Sequence, residues 1–125
     1  MLDVGSSAAY YTQHSYKIDK TFLRFRGETA ALETNSERFL GLGLTDFSRL
    51  VCVHLSGAGT KEFICKDGAG NTVVSITTDL TAYHEIEIRW KTGAAELYVD
   101  RTLTATINAN VPTDDLPVLF AGKRI

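Results

Sequence analysis

The chain has 125 residues, 44% hydrophobic and 22% charged. That is the length of one domain and the composition of a soluble globular protein able to bury roughly two-thirds of its unfolded surface. Thirteen Lys and Arg against fifteen Asp and Glu give a formal charge of −2, and no run of like charge exceeds Asp114-Asp115, so the basic footprint of a nucleic-acid binder is missing. No apolar stretch approaches the ~18 residues that span a bilayer, so no membrane partner is expected. Residues 1–7 have neither the basic nor the apolar region of a secretion signal, and localisation is not legible.

In chain order, helical periodicity is hard to find. Residues 28–38 contain good helix formers, but their apolar residues (Ala30, Ala31, Leu32) are adjacent, which reads as a loop or one short turn. From Phe39 onward apolar and polar residues alternate, the pattern of antiparallel strands. Strands are predicted at residues 10–13, 21–27, 39–45, 49–55, 61–66, 72–78, 84–91, 95–100, 103–109 and 116–121. Ser56-Gly57-Ala58-Gly59, Asp67-Gly68-Ala69-Gly70-Asn71 and Thr92-Gly93 supply hairpin turns with residues that tolerate positive φ. Pro117, inside the last run, predicts an edge strand or an outward N–H position. The fold class is all-β, a single antiparallel two-sheet sandwich over residues 1–125.

A slip of one residue turns every side chain of a strand over, so register can be read from pairing. Setting Val53 opposite Phe63 also sets Val51 opposite Cys65 and Leu55 opposite Lys61 on one face, with Cys52 against Ile64 and His54 against Glu62 on the other. The two cysteines then point to opposite faces and remain free thiols. No Cys-x-x-Cys or His/Cys cluster accompanies them, so neither zinc nor another cofactor is expected. In the next hairpin His84, Ile86, Ile88 and Trp90 share a face that continues through Leu97, Val99, Leu103, Ala105 and Ile107. Glu85, Glu87, Arg89, Lys91, Glu96, Tyr98, Thr104 and Thr106 stand on the other side.

The segment His84-Glu-Ile-Glu-Ile-Arg-Trp-Lys-Thr-Gly-Ala-Ala-Glu-Leu-Tyr-Val-Asp100, the following Leu103-Thr-Ala-Thr-Ile, and Asn110-Val-Pro112 resemble the C-terminal half of concanavalin A-like lectin/glucanase domains. Phe39-Leu-Gly-Leu-Gly-Leu-Thr-Asp46 resembles a Gly-Leu-x-Asp strand end of the same superfamily. The resemblance implies a jelly roll of two curved sheets whose concave face binds sugars in many members and cleaves glucans in some; fold alone does not fix function. Two departures stand out. Arg101 replaces the glycine that usually follows Asp100, and many relatives add a strand beyond the last run. An uncovered sheet edge would favour pairing with a second copy.

Glucanase relatives carry a Glu-aliphatic-Asp-aliphatic-x-Glu strand, which Glu85-Ile86-Glu87-Ile88 resembles only in part. The central position is Glu87, Arg89 stands on that side of the strand, and no third carboxylate follows. A solvated face of cross-strand ion pairs accounts for the string, and no catalytic residue is assigned. His54 opposite Glu62 suits acid/base chemistry or a plain surface pair. His84, on the apolar face, reads as structural, and His14 lies in unpatterned sequence. Asp114 and Asp115 beside Asn108 and Asn110 offer oxygen ligands for calcium but read better as a polar loop, so no metal site is assigned. Gly41 and Gly43 leave one strand face bare, for a ligand or for a close neighbouring strand. Sugar binding calls for an aromatic flanked by planar polar groups. Tyr98 with Arg89, Glu87 and Glu96 meets that description, and Tyr10, Tyr11 and Tyr16 form a second aromatic group. The expected function is a non-catalytic carbohydrate-binding or adhesion module for an oligo- or polysaccharide. A structural assembly component and a divergent glucanase are the alternatives.

Overall fold

The computed structural model describes residues 9–16, 21–27, 36–80 and 84–124. Its strands are β1 (Ala9–Tyr16), β2 (Thr21–Gly27), β3 (Ser36–Gly43), β4 (Arg49–Ser56), β5 (Lys61–Asp67), β6 (Asn71–Ser75), β7 (His84–Lys91), β8 (Ala94–Val99), β9 (Thr102–Ile107) and β10 (Leu116–Arg124). They form two antiparallel sheets, ordered β1-β10-β3-β4-β5-β6 and β2-β7-β8-β9. The two-sheet sandwich expected from the alternation is the architecture observed.

The core lies between the sheets. Val51, Val53 and Leu55 of β4 with Phe63 and Cys65 of β5 meet Ile86, Ile88 and Trp90 of β7 with Leu97 and Val99 of β8. Trp90 is fully buried, and its indole N–H donates to the Pro112 carbonyl at 3.0 Å. That bond satisfies the one polar atom of the largest core side chain and ties the strand to the loop before β10. The β4–β5 register pairs Val53 with Phe63, Val51 with Cys65, Cys52 with Ile64 and His54 with Glu62, as the apolar matching requires. Both cysteines are free and buried on opposite faces. Burial pushes the Cys65 thiol up to about 12 and raises Cys52 as well, so both stay protonated and inert at neutral pH.

A second apolar layer covers the other face of the six-stranded sheet. Phe39, Leu50, Cys52, Ile64, Leu119 and Ala121 are buried there, with Phe47 packed against them. The sequence pattern anticipates this layer only in the Cys52–Ile64 pair.

Two expectations are corrected and a third is narrowed. Leu103 is not in the core. A register shift between Leu97 and Tyr98 sets Leu97 opposite Ala105 but Tyr98 opposite Leu103, so one extra residue turns Leu103 outward, 51% exposed. Residues 36–38, expected in a loop, belong to β3, where Glu37 pairs with Ser56 and Arg38 with Leu55; residues 28–35 lie outside those described. Of the two readings of Pro117, the edge strand is excluded, because β10 runs between β1 and β3. Pro117 precedes Val118, the first β10 residue in register with β3, and faces Ser15 beside an irregularity in β1, so its missing N–H interrupts no regular ladder.

Of the two readings of the Gly41–Gly43 face, the close neighbouring strand holds. A Cβ on Gly41, at φ 154°, would lie 2.6 Å from the Val51 carbonyl oxygen and 2.8 Å from Cys52 Cα. Gly41→Ala is expected to lower stability by roughly 2–3 kcal/mol in urea unfolding, because backbone rather than a pliable side chain must move. An unchanged midpoint would contradict this packing.

Candidate functional site

The outer face of the four-stranded sheet carries Tyr98, Arg89, Glu87 and Glu96 together. Alternation along β7 points Glu85, Glu87, Arg89 and Lys91 away from the core, and β8 adds Glu96 and Tyr98. In register Glu87 faces Tyr98 and Arg89 faces Glu96. From the opposite side β2 sets Arg24 against Glu87. Arg24 escaped the sequence reading, although its alternation with Leu23 and Phe25 complements the glutamates of β7 and was the available signal.

Glu87 is the hub of this face. Its Oε1 accepts from Arg24 Nη2 at 2.9 Å and Nε at 3.3 Å, and its Oε2 accepts from Arg89 Nε at 2.6 Å. Solvation of this carboxylate, as first expected, is not observed, since Glu87 is buried. Burial pushes its pKa up, but the hydrogen bonds and charges of Arg24 and Arg89 outweigh that effect and hold it below the usual carboxylate range. The Arg89 guanidinium carbon sits 4.3 Å above the Tyr98 ring, and its Nη1 reaches the phenol at 3.4 Å. Tyr98 in turn donates to Glu96 at 3.5 Å, and Lys91 Nζ lies 3.0 Å from Glu96. Glu85 pairs with Arg24 at 3.2 Å and with Arg101 at 3.8 Å.

On the outer face of the six-stranded sheet, His54 stands between two carboxylates, with Nδ1 2.8 Å from Glu62 and Nε2 3.1 Å from Glu37. Its ring stacks on Phe39 with centroids 4.6 Å apart. Both nitrogens are engaged, which favours the structural pair over acid/base chemistry. Glu37 was missed because it fell in the expected loop.

His84 is structural as expected. Nδ1 lies 2.6 Å from Asp100 and Nε2 2.7 Å from the Asp79 carbonyl, while Asp100 also accepts from the Glu85 amide. Asp100 and Arg101 both have positive φ, 50° and 67°, so Arg101 adopts the turn conformation that glycine takes more cheaply. Asp114 pairs with Arg49 at 2.8 Å, and Asn110 accepts from Thr72 at 2.8 Å and reaches toward Asp67 at 3.4 Å, so that loop is held by its own side chains. Among the described residues no cluster is arranged for a metal ion. Tyr10, Tyr11, His14 and Tyr16 fall on β1, and their side chains lie outside those described.

The hydrogen bond that His84 Nδ1 donates to the Asp100 carboxylate raises the His84 pKa; burial opposes it, and the bond to the Asp79 carbonyl and the charges of Asp100 and Asp79 add to the rise. A raised folded-state pKa gives stability that is full below the ordinary histidine value of about 6.5 and lost as pH rises through the folded value. The melting temperature is therefore expected to fall as pH increases above about 6.5, and His84→Gln to flatten that slope. An identical slope in the variant would assign the effect elsewhere.

No family model matches the sequence, and no curated protein resembles it at a significant level. Solved structures do. A Bacillus licheniformis β-glucanase superposes with TM-score 0.71 at 13% identity over 93% of this chain and 57% of its own. The κ-carrageenase of Pseudoalteromonas carrageenovora, solved with an oligotetrasaccharide of κ-carrageenan, gives 0.60 at 8% identity over 93% of this chain and 54% of its own. The Caenorhabditis elegans galectin LEC-6 gives 0.61 at 11% identity over 99% and 93%. The chain spans a little over half the length of the two enzymes and most of the galectin. Its fold is the concanavalin A-like jelly-roll sandwich.

Proposed function

We propose that this jelly roll is a non-catalytic carbohydrate-binding or adhesion module whose saccharide lies on the outer face of the four-stranded sheet, against Tyr98, Arg89, Glu87 and Glu96. The observation that carries the reading is the pre-organisation of that face. Buried Glu87 holds Arg24 and Arg89 in place, so their planar donors are oriented before a ligand arrives. Arg89 occupies a face of the Tyr98 ring, so a sugar meets the guanidinium and the tyrosine edge rather than an open aromatic platform. Leu103, opposite Tyr98 in register and exposed, adds apolar surface beside them. Hydrolysis by Glu85 and Glu87 is disfavoured, because a carboxylate clamped by two guanidiniums is poorly suited to give up a proton as general acid.

A glycan array with the intact chain is expected to show saturable binding that weakens about tenfold in Tyr98→Ala, with no reducing ends released from β-glucans. Binding unaffected by the substitution would move the site elsewhere; glucan cleavage abolished by Glu87→Gln would replace the binding role with an enzymatic one.

A second reading, assembly with further copies, is favoured by a separate observation. The edge strands β6 and β9 contain no charged residue, and each carries a large exposed apolar side chain, Val73 and Leu103. Natural edges are commonly blunted by charge. Light scattering that shows an oligomer dispersed by Val73→Lys, a change remote from Tyr98, would support this role; a monomer at all concentrations would exclude it.

A further inference from the structure

We infer that the outer face of the four-stranded sheet selects an anionic polysaccharide, one bearing carboxylate or sulfate groups. This inference rests on the carbohydrate-binding reading and names its ligand class. Its basis is the depth at which the charges lie. The side chains of Glu87, Glu85 and Glu96 keep 4%, 11% and 18% of their surface exposed, whereas Arg89, Arg24, Lys91 and Arg101 keep 43%, 49%, 54% and 75%. The three glutamates form a lower layer and the four cations cover it, while the exposed Asp100 stands at the turn beside Arg101. A chain of net charge −2 thereby presents a basic surface at this face. Solvent and ligand meet guanidinium and ammonium groups first, and the buried carboxylates are too deep to repel an approaching anion strongly.

The geometry of the strands extends this surface in two directions. Arg24 stands on β2, the strand beside β7 at a spacing of ~4.8 Å, in register with Glu87 and so diagonal to Arg89, and Lys91 follows Arg89 by two residues, ~6.8 Å along β7. A polymer with charges repeating along its length can engage several cations at once.

The test is binding of the intact chain to polygalacturonate, dextran sulfate, neutral laminarin and a DNA duplex, at about 50 mM and about 200 mM salt. Expected are binding to one or both acidic polysaccharides, weakening as salt rises, and a further loss of about three- to tenfold in the double variant Lys91→Ala, Arg101→Ala. These two cations do not hold Glu87, and an unchanged Trp90 emission spectrum verifies that the variant is folded. Preference for polygalacturonate identifies carboxylate as the recognised group, and preference for dextran sulfate identifies sulfate. Salt-insensitive binding to laminarin without acidic preference overturns the inference while the carbohydrate-binding reading stands. Binding to no saccharide removes both. Equal affinity for the duplex would mark the face as a general polyanion site and overturn the saccharide selectivity.

Discussion

The burial of Trp90 is the constraint on which the rest of this structure depends. Its indole can be sealed between the sheets only because Pro112 accepts its N–H, and that bond sets both the depth of β7 and the path of the chain toward β10. Because side chains alternate along a strand, fixing Trp90, Ile88 and Ile86 inward fixes Arg89, Glu87 and Glu85 outward. The core and the candidate site are two faces of one register. A slip of one residue would bury three charges and expose the apolar stripe together.

The polar face obeys the same energetic logic as the core. Glu87 is removed from water at a cost that only direct hydrogen bonds to cations can offset, and Arg24 and Arg89 supply them from two neighbouring positions in the sheet. That arrangement contributes orientation more than stability, since surface-exposed partners of an ion pair add little free energy. The result is a set of long side chains held in one geometry over a rigid sheet, which a flexible arginine alone would not achieve.

The likeness to glucanases, a carrageenase and a galectin concerns the path of the backbone. At 8–13% identity, shared chemistry has to be argued from side chains. Within the string resembling a catalytic strand, Glu87 accepts hydrogen bonds from Arg24 and Arg89, and both nitrogens of His54 face carboxylates. In this chain the outer face of the four-stranded sheet layers its charge, with glutamates beneath and cations above.

Period-two alternation by itself determined the fold class, the β4–β5 register, the inward and outward faces of β7 and β8, the free cysteines and the inward Trp90, because each follows from neighbours in one hairpin. The grouping of Glu87, Arg89, Glu96 and Tyr98 was legible for the same reason. Tertiary structure alone decided three things. Arg24 reaches Glu87 across 63 positions of sequence, β10 inserts between β1 and β3, and one bulge in the β8–β9 pairing turns Leu103 to solvent. Local pattern reports which side of a strand a residue occupies. It carries no information on which distant strand lies alongside, because that choice is set by the summed burial and pairing of the whole sandwich.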